Sequence, residues 1–437
     1  MLRLALPVLV EQVLVMLVGL CDTWLTGRFL GREHLAAMNL MSYTLWLLPA
    51  LFAAVGIGAT AMIARFVGAG DWDSAGRVTN QAFVVGALLA VIATVAGLLF
   101  GDSLVGVMRL EGEAALLASR YLKIVLAVFP AMMLEVVGTA CLRGAGRMMA
   151  GLAVMALVNV VNVSVGAALL VGLGPLPKLG WDGLAYGVAA GYVVGALAML
   201  GLFISGRAGL RLEGRWLWLD AGLARRILRI GLPGGLDVLS IIACHLWFVG
   251  IINQLGEVAA AAHGVAIRIE SLAYLPGAAF QVAAATLVGQ YLGARDPGRA
   301  TQSVITACLV GGGFMVSAGI LFYMFAAPLT EMFLGGRQPE VALTAAPLLR
   351  IVALAMPALA LLSIISGALR GAGDTRWPFV ISFVGLLGVR IPGAYFLAHA
   401  CGLGVRGAWY AMAADLALRC ILISGRFFHG GWKRIEV

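Results

Sequence analysis

The chain has 437 residues, of which 62% are hydrophobic and 12% charged, and its formal net charge is +9. Its mean hydropathy is +1.00. Soluble domains carry about 25% charged residues, so this composition excludes a soluble fold and predicts an integral membrane protein. The basic residues are almost all arginines in short connections between apolar segments, a pattern that indicates membrane orientation and not nucleic-acid binding.

Apolar segments long enough to cross a bilayer occur twelve times, since a helical span needs about 20 mostly apolar residues. We therefore predict an all-α integral membrane fold with twelve transmembrane helices. The second and eighth segments are too long to cross straight, so we expect them to tilt, bend or project into water. The segments lie near residues 5–30, 35–67, 78–100, 119–141, 148–172, 182–205, 228–254, 259–292, 301–327, 345–369, 378–399 and 407–427.

Arginines follow the even-numbered segments. By the positive-inside rule, both termini and the central connection are expected in the cytoplasm. The arginines and the one lysine that place these connections are Arg65, Arg77, Arg143, Arg147, Arg207, Arg211, Arg215, Arg225, Arg226, Arg229, Arg295, Arg299, Arg370, Arg376, Arg426, Lys433 and Arg434.

The chain repeats itself. Residues 122–146, "LKIVLAVFPAMMLEVVGTACLRGAG", resemble residues 349–373, "LRIVALAMPALALLSIISGALRGAG", at a constant offset of 227. Further matches at offsets of 225 and 226 indicate a six-span half (1–206), a cytoplasmic linker (207–227) and a second six-span half (228–437). Because six is even, the halves are parallel repeats, and substrate sites in such proteins lie near mid-membrane. This architecture favours alternating access over a static pore.

Motifs of catalysis are lacking in the sequence. It has no Walker A motif, no HExxH, no GxSxG and no CxxC, so we expect neither an enzyme nor a bound cofactor. The six cysteines lie mostly in apolar runs, where free cysteine behaves as a small hydrophobe. An intramembrane enzyme would need paired catalytic groups, and a sensor would need an added soluble domain; neither feature is convincing here.

Three stretches resemble the multidrug and toxic compound extrusion (MATE) family. They are "LPVLVEQVLVMLVGLCDTWLTGRFLG" in span 1, "AAAAHGVAIRIESLAYLPGAAFQVAAATLVGQYLGA" in span 8, and the twinned "LRGAG" after spans 4 and 10. The resemblance implies a V-shaped pair of six-helix bundles in a bacterial-type cytoplasmic (inner) membrane. It also implies secondary active efflux of bulky, often cationic organic compounds, driven by H⁺ or Na⁺. We expect a monomer whose partners are small organic substrates and the lipid bilayer.

The resemblance assigns cation coupling to Asp22, in "CDTWLTG". Relatives often carry two polar residues four apart beside this acid in span 5. The candidate coupling residues of this chain there are Asn159 and Asn162, three apart, with Gly166 where the second polar group would stand. Span 10 has no acid between Pro357 and Leu369. The sequence therefore favours H⁺ over Na⁺ as the coupling ion, acting through the N-terminal half.

Three acids in the first half are predicted to take part in cation coupling. Glu11 and Asp22 are eleven residues apart, about three helical turns, so they share one face of span 1. Intramembrane acids are functional by default, and a desolvated carboxylate suits a proton carrier. Glu135 lies at a similar depth to Glu11, and the two are expected to face one another. The alternatives are a structural role for Glu11 and a salt bridge from Glu135 to an arginine of the inner loop.

Acids in the second half are predicted to bind substrate. Glu270, in the middle of span 8, is a candidate anionic anchor for a cationic substrate, or else a partner in an ion pair across helices. Asp237 matches Glu11 at an offset of 226 and has the same structural alternative. Asp415 and Arg419 are four apart, so we predict that they pair on one helix face.

A lipid-linked saccharide flippase of the related superfamily is the alternative function. It would require a strongly cationic central cavity that recognises pyrophosphate. Basic residues within the spans are few, namely Lys123, Arg268 and Arg390, whereas the acids are better placed. The balance favours cationic cargo.

Overall fold

The protein is almost entirely helical. The computed structural model describes residues 1–107, 112–336 and 338–436. Within these ranges the regular secondary structure consists of helices, and no β-strand occurs. The all-α prediction is therefore confirmed.

Eight helices form the six spans predicted for the first half. The second and fourth predicted spans each consist of two helices that meet at a bend, of 42° between α2 and α3 and 61° between α5 and α6. Pro49 lies beside the first bend and Pro130 beside the second. Proline removes a backbone donor and clashes with the preceding turn. The helices are α1 Leu2–Phe29, α2 Arg32–Ala50, α3 Ala53–Gly68, α4 Trp72–Val107, α5 Gly112–Ala127, α6 Phe129–Gly144, α7 Met148–Val171 and α8 Trp181–Ile204.

The spans predicted for the second half are mostly unbroken. Helix α10 runs for 37 residues. Helix α13 continues through Pro347 and Pro357, although Pro357 is the repeat partner of Pro130. The eleventh span contains two π-helical turns, 386–390 and 396–400. The helices are α9 Ala221–Asn253, α10 Glu257–Gly293, α11 Pro297–Met324, α12 Ala326–Leu334, α13 Pro339–Gly371, α14 Arg376–Gly385, α15 Ile391–Tyr395 and α16 Gly404–His429.

The lengths of these helices suit a membrane. In the described part of the chain, nine helices are long and apolar enough to cross, and the two bent pairs bring the number to eleven. The remaining predicted span is α16, whose 26 residues reach about 39 Å at 1.5 Å per residue. It is long enough to cross but carries more charge, including Asp415 and Arg419.

Contacts divide the chain into two compact units. One comprises Val10–Gly235, and the other comprises Met1–Leu9 with Leu236–Val437. The halves and the linker named from the sequence stay a prediction, since the units group the first nine residues with the second half of the chain. All the contacts described below lie within one unit or the other.

Glycines bring α7 and α8 together in the first unit. Gly183, Gly187, Gly191 and Gly195 recur every fourth residue on α8, so they form one stripe along the helix. A Cβ atom added to Gly187 would lie 2.6 Å from the Cα atom of Gly166 and 2.7 Å from the carbonyl oxygen of Asn162. Small residues permit this close approach of membrane helices. The stripe thereby fixes the part of α7 that carries the polar residues of the candidate site.

Candidate functional site

Asp22 is buried on the inner face of α1. It is 7% exposed, whereas Leu20 and Trp24 on other faces of the same helix are 56% and 63% exposed. The Asn162 side chain, on α7, donates a hydrogen bond to the Asp22 carboxylate. Thr26 Oγ1 donates to the Asp22 backbone carbonyl over 2.7 Å. The structure therefore brings together the two predicted coupling residues Asp22 and Asn162.

Two tyrosines that sequence reasoning missed lie beside these residues. Tyr121, on α5, is fully buried and interacts electrostatically with Asp22 and with Tyr192 on α8. Its ring packs at 5.3 Å from that of Trp181, whose indole N–H donates to the Leu117 carbonyl over 2.9 Å. The Tyr121 hydroxyl has no hydrogen-bond partner among the described residues. A tyrosine in an apolar run gives no sequence signal of its neighbours, which depend on how each helix is rotated.

Glu11 and Glu135 form a second group in the same unit. Arg143, the arginine of the first "LRGAG", donates to Glu11 Oε1 over 2.5 Å. Glu11 is 4% exposed and Glu135 is 3% exposed. Glu135 interacts electrostatically with both Glu11 and Arg143, and Tyr192 interacts with Glu135. Successive electrostatic interactions therefore relate Asp22 to the Glu11–Arg143 pair through Tyr121, Tyr192 and Glu135.

The ion pair of the first unit is repeated in the second. Asp237, the repeat partner of Glu11, forms an ion pair with Arg370, the arginine of the second "LRGAG". Asp237 is 1% exposed, and its Oδ1 atom has no hydrogen-bond partner in the described part of the chain. This geometry matches the structural alternative for both acids. Their predicted roles in coupling and substrate binding stay predictions.

The second unit holds a further buried polar cluster. Asp415 is fully buried, and Arg419 donates to it over 2.8 and 2.7 Å, which confirms the predicted pair on α16. Arg390, from the π-helical turn 386–390, donates to the same carboxylate over 2.9 Å. Single-turn π-helices are frequent at functional sites. Gly385 makes room for the cluster, because a Cβ atom there would lie 2.3 Å from Asp415 Oδ1.

Glu270 lies near this cluster. It interacts electrostatically with Arg390. Its Oε2 atom is buried and has no hydrogen-bond partner among the described residues. Glu270 therefore keeps an acceptor atom that none of the described residues uses. Its predicted role as a substrate anchor stays a prediction.

The surroundings of Asn159 and Gly166 bear on the identity of the coupling ion. Asn159 is 9% exposed, and its amide Nδ2 atom has no partner within the described ranges. Gly166 faces Gly187 at the close contact of α7 with α8 and contributes no side chain there. Beside Asp22, the Tyr121 hydroxyl and Asn162 Oδ1 are buried oxygen atoms without a hydrogen-bond partner among the described residues. In the part of the chain that the structure describes, no group of three His, Cys, Asp or Glu residues could hold a metal ion.

Comparison with known proteins gives matches over the whole chain. The MatE family model matches residues 7–167 and 233–396. The "Probable multidrug resistance protein NorM" of Thermotoga maritima is 30% identical over 100% of this chain and 93% of its own length. The "Multidrug resistance protein PmpM" of Pseudomonas aeruginosa is 25% identical over 97% of this chain and 89% of its own length. A solved structure titled "Outward-facing conformation of a multidrug resistance MATE family transporter of the MOP superfamily" aligns at a TM-score of 0.91 and 24% identity, covering 99% of this chain and 96% of that chain.

The helical fold, the internal repeat and the buried polar groups define a multi-pass membrane transporter. The family match covers most of both halves, and the relative from Thermotoga maritima spans the full chain. The chain therefore belongs to the MATE family of efflux transporters, as the twinned motifs and the span 1 aspartate predicted. The structural likeness, at 24% identity, shows the twelve-span fold.

Proposed function

We propose that this chain exports bulky organic cations across the inner membrane in exchange for protons, with Asp22 as the coupling group. The observation that carries the proposal is the burial of Asp22 against Asn162 and Tyr121 in the first unit. The relatives named as multidrug resistance proteins support an efflux role for a range of organic compounds. The arrangement of arginines in the loops supports cytoplasmic termini.

A proton fits the surroundings of Asp22 better than Na⁺ does. A bound Na⁺ needs a shell of oxygen ligands, and the position one turn after Asn162 is Gly166, which packs against Gly187. A proton needs one carboxylate oxygen only. Transfer of an ionised carboxylate into the membrane interior costs several kcal/mol, and protonation removes that cost. This supports H⁺ as the coupling ion.

Charge neutralisation gives the transport cycle its direction. Ionised Asp22 attracts a cation into the first half, and protonation from outside removes that attraction and releases the cargo outward. A ligand can shift two conformations only by its differential affinity for them, so cargo and proton must compete for coupled groups. Tyr121, Tyr192 and Glu135 link Asp22 electrostatically to Glu11, which supports a role for these residues in moving the proton.

Glu270 is the proposed anchor for cationic cargo in the second half. Its enclosed Oε2 atom remains available as an acceptor. A flippase for pyrophosphate-linked saccharides would need unneutralised basic residues in the centre of the membrane. The buried arginines Arg370, Arg390 and Arg419 instead bind carboxylates. No observation therefore favours the flippase.

The proposal is tested with purified protein in liposomes. A proton gradient or a Na⁺ gradient is imposed separately, and uptake or release of a fluorescent organic cation is followed for the wild type, Asp22→Asn and Asp182→Asn. Asp182 is a matched control because it is an acid of the same unit. It lies at the start of α8 and pairs with Arg120 of α5, whose side chain is exposed.

Transport on the proton gradient alone is expected for the wild type and for Asp182→Asn. It is expected to be lost in Asp22→Asn, which keeps the shape of the side chain and one acceptor oxygen but cannot titrate. Full gradient-driven transport by Asp22→Asn would refute the assignment of Asp22. Transport on Na⁺ alone would refute proton coupling.

A further inference from the structure

The segment between α8 and α9 is fixed to α4 by two buried amide side chains. Asn80 Nδ2 donates to the Arg211 carbonyl over 3.0 Å, and Asn80 Oδ1 accepts from the Glu213 backbone N–H over 3.0 Å. Gln81 Nε2 donates to the Trp216 and Trp218 carbonyls over 2.9 and 2.7 Å. Side-chain amides in these positions replace the backbone partners that a loop lacks. This part of the linker therefore has a defined conformation.

The docked segment, α4 and the first turns of α9 border two adjoining open cavities, here called the linker cleft. One cavity has a volume of about 230 Å³ and the other about 340 Å³. Arg77 and Asp220 line both cavities, whereas Arg215 lines the smaller and Arg226 the larger. The residues that complete the cleft are Phe66, Ser74, Val78, Gln81, Trp216, Trp218, Leu219, Gly222 and Leu223.

An indole ring orients the arginines of the cleft. The guanidinium carbon atoms of Arg77 and Arg215 lie 4.1 and 5.0 Å from the centroid of the Trp216 ring. A guanidinium stacked on an aromatic face keeps its N–H groups in its own plane, where they can donate to an anion. Arginine binds phosphate with paired hydrogen bonds of this kind. The cleft is thus arranged for a phosphate group.

Of the acids near the cleft, one pairs with a cleft arginine and two accept backbone hydrogen bonds. Asp220 Oδ1 accepts from the Leu223 backbone N–H over 3.1 Å, and Glu213 pairs with Arg215 over 2.6 Å. Asp71, just before α4, accepts from the Ser74 side chain and from the Ser74 backbone N–H, the latter over 2.9 Å, and these bonds lower its pKa below the usual range for an aspartate. Residues 207–229 hold six arginines and two acids. Positive charge therefore predominates around the cleft.

Apolar side chains stand exposed directly beside these arginines. Trp218 is 85% exposed, and Leu217 and Leu219 are 51% and 53% exposed. They lie at the end of membrane-crossing helices, and tryptophan is enriched at membrane–water interfaces. A free anion cannot cover such an apolar surface, whereas a phospholipid carries acyl chains next to its phosphate that can pack against it. Exposed apolar side chains beside clustered arginines suit a phospholipid better than a free anion.

We propose that the linker cleft binds the headgroup phosphate of an anionic phospholipid, with Arg77, Arg215 and Arg226 around the phosphate and Trp218 in the interfacial layer. Basic clusters beside membrane helices on the cytoplasmic side recognise anionic lipids. The proposal goes beyond drug efflux and does not depend on the identity of the coupling ion.

The test compares two double variants that lose the same charge from the same region of the full-length protein. Arg77→Gln with Arg215→Gln alters the cleft, whereas Arg207→Gln with Arg225→Gln removes two exposed linker arginines that line neither cavity. Binding of spin-labelled phosphatidylglycerol is measured in phosphatidylcholine nanodiscs. Spin-labelled phosphatidylcholine and added inorganic phosphate are the other arms.

Phosphatidylglycerol is expected to bind the wild type in preference to phosphatidylcholine. Each arginine near an anionic lipid contributes about fivefold in affinity, so the cleft variant is expected to bind about 25-fold more weakly. The control variant is expected to lose much less affinity for phosphatidylglycerol. An equal loss in both variants would overturn the proposal in favour of a general charge effect. Displacement of the lipid by millimolar phosphate, or equal binding of phosphatidylcholine, would also overturn it.

Discussion

Removal of Arg370 is expected to destabilise the protein strongly, because it leaves a buried carboxylate without its partner. Asp237 is 1% exposed, and the Arg370 side chain is 15% exposed. Loss of one partner from a buried ion pair costs about 3–5 kcal/mol, whereas replacement of both by apolar residues is often neutral. Arg370→Ala should therefore lower the free energy of unfolding by about 3–5 kcal/mol. Asp237→Leu with Arg370→Met should lower it by much less.

The control is the more exposed pair of Arg120 and Asp182, whose side chains are 65% and 20% exposed. Exposed pairs contribute about 0–1 kcal/mol, so Arg120→Ala should have a small effect. The free energy of unfolding is measured at equilibrium in lipid bicelles by steric trapping. An Arg370→Ala variant no less stable than Arg120→Ala would refute the inference that burial makes the repeated ion pair structural.

Two further substitutions test the packing and the polar route of the first unit. Gly187→Ala places a Cβ atom 2.6 Å from the Cα atom of Gly166 and should cost about 1–3 kcal/mol of stability. Gly201→Ala, on the same helix with no atom within 4 Å of the added Cβ, should be neutral. Equal unfolding free energies for the two variants would contradict the close contact. Tyr121→Phe removes a buried hydroxyl that has no hydrogen-bond partner in the described part of the chain, so the free energy of unfolding should be unchanged. Proton-driven transport in liposomes should nevertheless slow severalfold relative to the control Tyr186→Phe, which alters a partly exposed tyrosine of α8. Unchanged transport by Tyr121→Phe would exclude this hydroxyl from the route.

The helices were predictable because the bilayer requires long apolar segments. The observed helices occur at all twelve predicted segments, and the segment 35–67, judged too long to cross straight, is bent. The internal repeat was visible because the matched motifs recur at a nearly constant offset. The pairing of Asp415 with Arg419 followed from their spacing on one helix.

Contacts between helices were less predictable. Arg390 lies 25 residues before Asp415, and the bond between them depends on a π-helical turn that no local pattern indicates. Tyr121 interacts electrostatically with Asp22 only because α5 and α1 turn these two side chains towards each other. The sequence could not predict that the helix breaks beside Pro130 but continues through Pro357, since the sequences around the two prolines are similar. Tertiary packing decides such features.

The break between α5 and α6 places the polar residues of the first unit on two separate helices. Tyr121 lies on α5, which ends at Ala127, whereas Glu135 and Arg143 lie on α6, which begins at Phe129. A rotation about Val128 would change the distance from Tyr121 to Glu135 while the Glu11–Arg143 pair stayed intact. In the second unit, the repeat partner α13 continues through Pro357 without such a break. The first unit thus has a helix break among its buried polar residues at a position where α13 of the second unit is continuous.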